Sequence, residues 1–298
     1  MLKFQGIWPI MPTPLTPEED VDEPALRNMI QYVLDGGVHG LWMLGSGGEQ
    51  PMFDLEVSRR VLEIAVEEAR GHIPVIAGIG ACSVRQALIN LRMAQEAGVD
   101  GVQSVEPYYF KLRASEIVDY FLAVADASEL PVVIYHHPDR WPAGSMSAAM
   151  LPQTHGRLAK HPNIIGMKDV THNPRDFQRL VFNIGSEEFT ILTAAGRLLL
   201  FSLTVGGYGG AIPESAIAPK LYVELYDAFN RGDLSQAREL QRSLAPLGDA
   251  INVPAYAGAK CALSLLGLCD MRLAKPLQGP SEQDRETLAN VMRDLELI

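Results

Sequence analysis

The sequence predicts an α/β fold, a (β/α)8 TIM barrel with a C-terminal helical extension. Three observations lead there. Short β-rich runs alternate with stretches of helical period, the pattern of parallel strands joined by crossover helices. There are eight such runs in 298 residues, which suits a closed barrel better than an open doubly wound sheet. Runs such as Val132-Val133-Ile134 are continuously apolar, as strands covered on both faces must be.

The runs, in order, are Gly6 to Met11, Gly40 to Leu44, Pro74 to Ile79, Gly101 to Val105, Pro131 to His136, Ile164 to Asp169, Phe189 to Ala194 and Tyr208 to Ile212. Between them, helices are expected over Glu23 to Asp35, Leu55 to Arg70, Val84 to Ala97, Ala114 to Ser128, Leu151 to Ala159, Pro174 to Asn183 and Arg197 to Val205. Two segments repeat one device. In Gly36-Gly37-Val38-His39-Gly40 and Ala97-Gly98-Val99-Asp100-Gly101 a glycine ends a helix and a tight loop feeds the next strand. After the eighth run, Pro219 to Asn230, Leu234 to Ala245 and Lys260 to Gly267 are helical in pattern, with breaks at Gly232, Pro246 to Gly248 and Pro254. One helix completes the barrel. The chain therefore divides into a barrel over 1–225 and an extension over 226–298 that packs on it.

Composition narrows the function. The formal net charge of -11 argues against a general nucleic-acid or membrane-surface binder. No apolar run is long enough to span a membrane, and the proline-rich start lacks the apolar core of a signal peptide. The three cysteines, Cys82, Cys261 and Cys269, form neither a metal spacing nor a disulfide framework, so a reducing cytoplasm is expected.

In a barrel of this kind functional groups gather at the C-terminal ends of the strands. The sixth run ends in Lys168. A buried ammonium is disfavoured, and a lysine so placed can attack a carbonyl as the neutral amine; a lysine reaching to water or pairing with Asp169 is the plainer alternative. The fifth run ends in Tyr135, a phenol able to relay protons, followed by His136, His137 and Arg140. Arg140 can grip a carboxylate bidentately. His136 and His137, adjacent on a strand, face opposite sides, and no metal is expected. The second run ends in Gly45-Ser46-Gly47-Gly48-Glu49, a turn able to present backbone N–H groups to an anion. It does not match the dinucleotide fingerprint, because Gln50 stands where the third glycine belongs. The eighth run carries Gly206 to Ala211. Its glycines resemble a phosphate loop in composition, but no basic residue accompanies them.

Taken together these positions resemble the dihydrodipicolinate synthase and N-acetylneuraminate lyase family of class I aldolases. The resemblance runs from Gly6-Ile7-Trp8-Pro9-Ile10-Met11-Pro12-Thr13-Pro14 through Gly45 to Glu49, Pro74 to Gly78, Pro107-Tyr108-Tyr109, Pro131 to Tyr135 and Asn163 to Asp169, to the glycine-rich eighth run. It implies that Lys168 forms a Schiff base with pyruvate or a longer 2-keto acid and that Tyr135 relays protons. It implies that Ser46 and Gly47 hold the keto-acid carboxylate, with Ala211 lining the site. Tyr109 matches a tyrosine that crosses a dimer interface, and Arg140 matches an arginine for a second carboxylate. No cofactor is implied, and the expected assembly is a homotetramer, a dimer of dimers. Aldol cleavage, condensation or dehydration all follow from such an imine; the synthase reaction proper, and a catalytically weak metabolite-binding role, are the alternatives. The chain departs from the family pattern in four places, one of them His136-His137, which stands where an Asn-Val or similar pair usually follows the tyrosine. In the others, Gly47 replaces a second hydroxyl residue, the loop from Trp141 to Met146 replaces a short Thr-Gly, and Ala194-Ala195-Gly196 replaces an acidic stretch.

Overall fold

The computed structural model describes residues 2–110, 112–136, 151–252 and 257–298, excepting the side chains of 151–154. Eight parallel strands form one sheet: β1 (Gly6–Pro9), β2 (Leu41–Met43), β3 (Val75–Gly78), β4 (Gly101–Val105), β5 (Val132–His136), β6 (Ile164–Asp169), β7 (Thr190–Thr193) and β8 (Gly209–Ile212). The order is β1-β8-β7-β6-β5-β4-β3-β2. The seam between β1 and β2 is closed by a single parallel bridge, Ile10 to Trp42. Met11 N–H donates to the Trp42 carbonyl at 3.0 Å and His39 N–H to that of Ile7 at 2.9 Å. Ile7 N–H in turn donates to His39 Nδ1 at 3.2 Å. Burial holds the His39 imidazole below its ordinary pKa, with Asp227 opposing, so the ring is kept neutral and able to accept.

Helices follow the strands: α1 (Glu23–Asp35), α2 (Leu55–Ala69), α3 (Val84–Glu96), α4 (Ala114–Ala127), α5 (Leu151–Leu158), α6 (Pro174–Ile184), α7 (Leu199–Thr204) and α8 (Pro219–Asn230). Their starts are chemically marked. Asp22, Asp54, Ser83 and Asn173 each accept a backbone N–H in the first turn of the helix they precede. The eight strands and eight helices make the expected (β/α)8 barrel. Beyond α8 lie α9 (Leu234–Ala250), α10 (Ala257–Leu265) and α11 (Glu282–Asp294). The break expected at Pro246 does not occur, for α9 runs through it. An internal proline forfeits one helical hydrogen bond; here the helix is held on both sides of it by Leu244 and Leu247, both fully buried.

Strand alternation sorts the apolar residues into two cores. A large shell between strands and helices includes Ile7, Met43, Ala77, Val102, Ile134, Met167 and Ile212. A second cluster fills the lumen: Phe4, Trp8, Ile10, Trp42, Ile76, Val133, Tyr135, Val170, Leu192, Ala194 and Ala211. The lumen is therefore packed, as in barrels of this type. One irregularity sets the register that matters for the site. Between β5 and β6, Val132 pairs with Ile164 but Val133 with Gly166, so one extra residue on β6 is absorbed in a bulge. A glycine is required there: a Cβ on Gly166 would lie 2.4 Å from the Thr190 carbonyl oxygen.

Candidate active site

The bulge puts Tyr135 directly opposite Lys168 and His136 opposite Asp169. Lys168 is 4% exposed and its Nζ lies 4.2 Å from the centre of the Tyr135 ring. On another side Nζ lies 5.0 Å from the centre of the Trp42 ring. Trp42 and Tyr135 meet edge to face, centroids 6.4 Å apart. The amine thus stands at the top of the packed lumen between two aromatic rings, with its aliphatic stem screened from water.

Beyond Trp42, the chain leaving β2 turns through Ser46–Gly48 as a single 3-10 turn. The N–H groups of Gly48 and Glu49 donate back to the carbonyls of Gly45 and Ser46. The first N–H groups of such a turn, those of Ser46 and Gly47, have no carbonyl within it to bond. The turn is set between two residues in the left-handed region, Leu44 at φ 54° and Glu49 at φ 63°. Thr13 Oγ1 donates to the Gly48 carbonyl at 2.9 Å. From the far side, the buried Glu49 carboxylate accepts from Lys260 Nζ and, at 2.6 Å, from Ala274 N–H. Lys260 also donates to the Arg272 carbonyl at 2.6 Å. The turn is thereby tied to α10 and to the chain after it. Burial pulls the Lys260 pKa down, with Glu49 opposing.

Among the residues expected from sequence, Lys168, Tyr135 and Ala211 share the lumen, and Ser46 and Gly47 form the turn at its mouth. Ala211 sits fully buried on β8, paired with Trp8. Tyr109 is not brought to Lys168 within one chain: it is 77% exposed and packs edge to face on Phe110, itself 67% exposed. Arg140, Trp141 and the rest of the loop over 141–150 lie outside the described residues.

The structure adds groups that local sequence does not mark. Trp42 was concealed in an apolar run, and its only signal was alternation within β2. Glu106 follows β4 and bonds His136, for which no metal is expected: its Oε1 is 2.8 Å from His136 Nδ1, both residues buried. His136 also packs against the buried His155 ring, centroids 4.8 Å apart. Beside them burial raises the Asp169 pKa, with His136 and Thr171 opposing. A further acid comes from the turn after β8. Burial pushes the Glu214 carboxyl up to about 7, against the backbone N–H groups of Glu214 and Gly196 and the charges of Arg197 and Lys168. It occupies the space over Gly196, where a Cβ would lie 2.9 Å from its Oε1. So an acid stands beside Ala194-Ala195-Gly196 after all, delivered by the neighbouring strand.

A (β/α)8 barrel with a buried lysine and a tyrosine paired across β5 and β6 above a packed lumen has the make-up of a class I aldolase. The model of the dihydrodipicolinate synthetase family matches residues 3–295, and the chain belongs to that family of enzymes. It is 36% identical to a 4-hydroxy-tetrahydrodipicolinate synthase of Acidiphilium cryptum, over 99% of each chain. Among solved structures it is similar to a dihydrodipicolinate synthase from Thermotoga maritima, with a TM-score of 0.94, 29% identity and 100% of both chains covered. It is also similar to YagE, a prophage protein of the same family from E. coli K12 solved with pyruvate, with a TM-score of 0.91, 27% identity and 100% of both chains covered. No helix among the described residues is long and apolar enough to cross a membrane.

Proposed function

We propose that this lyase works through a Schiff base between Lys168 and pyruvate or a pyruvate-derived 2-keto acid. The observation that carries the reading is the pairing of buried Lys168 with Tyr135 across β5 and β6. The neutral amine attacks the keto carbon; the C–N bond forms as the carbonyl π bond breaks, and the oxygen leaves as water. The resulting protonated imine is an electron sink. Loss of a proton or of a carbon fragment from the adjacent carbon then gives an enamine, which can add to an aldehyde or expel a hydroxyl group. Tyr135 carries protons to and from the reacting oxygen. Ser46 and the N–H groups of Ser46 and Gly47 hold the substrate carboxylate, Ala211 lines the site, and Arg140 serves a second carboxylate. The pyruvate in the YagE structure supports the substrate class. The synthase reaction proper is the second reading, favoured by the names of the curated relatives.

The same reading takes 1–225 as the catalytic barrel and 226–298 as an extension packed on it, in a cytoplasmic enzyme. The exposed Tyr109 and Phe110 suit a face buried between two copies, and the assembly is a homotetramer in which Tyr109 enters the neighbouring site.

Incubation with pyruvate and borohydride, followed by mass measurement, tests the reading. A reduced pyruvate adduct is expected on the wild-type chain, mapped to Lys168 and lost in Lys168→Ala. An unmodified wild-type protein at millimolar pyruvate sinks it.

A further inference from the structure

Beneath Lys168 lies a residue whose position the imine chemistry above does not require. Trp42 is fully buried on β2, with the Lys168 Nζ 5.0 Å from its ring centre. Its pyrrole edge lies against the start of the anion turn: a Cβ on Gly45 would be 3.0 Å from Trp42 Nε1 and 3.2 Å from Cδ1. That Nε1 is buried and has no hydrogen-bond partner among the described residues. A buried indole usually satisfies its N–H, so an apolar filler would serve the lumen better than this one. The ring face, by contrast, is where a tryptophan outperforms an aliphatic side chain, because its quadrupole attracts a cation within about 6 Å.

We propose that Trp42 is a charge-stabilising face for the nitrogen of Lys168, acting on the ammonium of the free enzyme and on the protonated imine that replaces it. The inference rests on the Schiff-base reading. Along that path the nitrogen alternates between charged and neutral forms. The ammonium and the protonated imine are cations; the attacking amine and the enamine are not. The indole favours the two cationic forms and leaves the equilibrium between them nearly unchanged, since both carry one positive charge. It therefore sets the pH at which the neutral amine becomes available and how readily the imine gives up its charge to become the enamine. The Tyr135 ring, 4.2 Å from the same nitrogen, adds to the effect from another side.

The experiment measures the rate of reductive trapping with pyruvate from pH 5.5 to 9.5 in wild type, Trp42→Leu and Trp42→Phe. In Trp42→Leu the half-maximal pH is expected to move down by roughly 0.4 to 1.5 units, the range of a cation–π contact converted at about 1.4 kcal/mol per unit. Trp42→Phe, which keeps a weaker ring, is expected to move it less. Wild-type indole fluorescence is expected to follow the same half-maximal pH, and Trp42→Phe to lose that transition. A uniform fall in rate with an unmoved midpoint in both variants overturns the proposal and leaves Trp42 as packing. If Trp42→Leu does not fold, Trp42→Phe and the wild-type fluorescence decide. A wild-type protein that forms no adduct at any pH overturns the Schiff-base reading itself, which is a separate result.

Discussion

Lys260→Met is expected to destabilise the protein by about 3–5 kcal/mol, because it leaves the Glu49 carboxylate buried without its cation. Lys260 is 1% exposed and Glu49 3%, so water cannot replace the missing partner. Glu49 would keep its bond from Ala274 N–H and lose the one from Lys260 Nζ. The Arg272 carbonyl would lose its donor as well. The double variant Glu49→Gln with Lys260→Met removes the stranded charge and is expected to recover much of the loss. Urea unfolding of the wild type and both variants measures it, and equal losses in the single and double variants would contradict the buried-charge account. Because Glu49 ends the Gly45–Glu49 turn, to which carboxylate binding is assigned in the proposed function, the proposed pyruvate affinity should weaken in the single variant even where the protein remains folded.

The second large effect is a pH dependence of stability that belongs to Glu214. Its carboxyl titrates near 7 in the fold, raised from 4.5 chiefly by burial. The folded protein thus holds a proton that the unfolded chain releases between those values. Stability from this group is fully present below about 4.5, declines as the pH rises from there through about 7, and is gone above it. At about 1.4 kcal/mol per unit the decline is on the order of 3 kcal/mol. Glu214→Gln keeps a neutral side chain of the same shape and should remove that slope. Denaturant unfolding at pH 5 and pH 8, compared between wild type and Glu214→Gln, isolates it from every other titrating group. Parallel pH curves for the two proteins would refute the assignment.

Much of the barrel could be read directly, because buried parallel strands are continuous apolar runs and each of the eight lies inside its expected segment. What could not be read depends on contacts between segments. Pro246 signals a helix end locally, yet packing around Leu244 and Leu247 carries α9 past it. The helix α11 is not among the expected segments, although Ser281 and Asp284 form a reciprocal cap that marks its start. For the site, Lys168 and Tyr135 stood out because a charge and a phenol at the ends of apolar strands are conspicuous. Trp42 did not, since an indole in an apolar run looks like any other core residue. The Glu106–His136 pair requires the register of β4 against β5, and the place of Glu214 requires the meeting of the β7 and β8 turns. Neither is encoded in local spacing.

The stack of Phe4, Trp8, Trp42 and Tyr135 in the lumen has a consequence for traffic. Among the described residues the barrel is stopped like a bottle from below, which leaves its C-terminal rim as the side from which the amine of Lys168 is approached. A spent product and a fresh substrate must then use the same doorway in turn. If the proposed Schiff base forms there, whatever leaves Lys168 clears that rim before the next keto acid enters, and turnover proceeds as a queue.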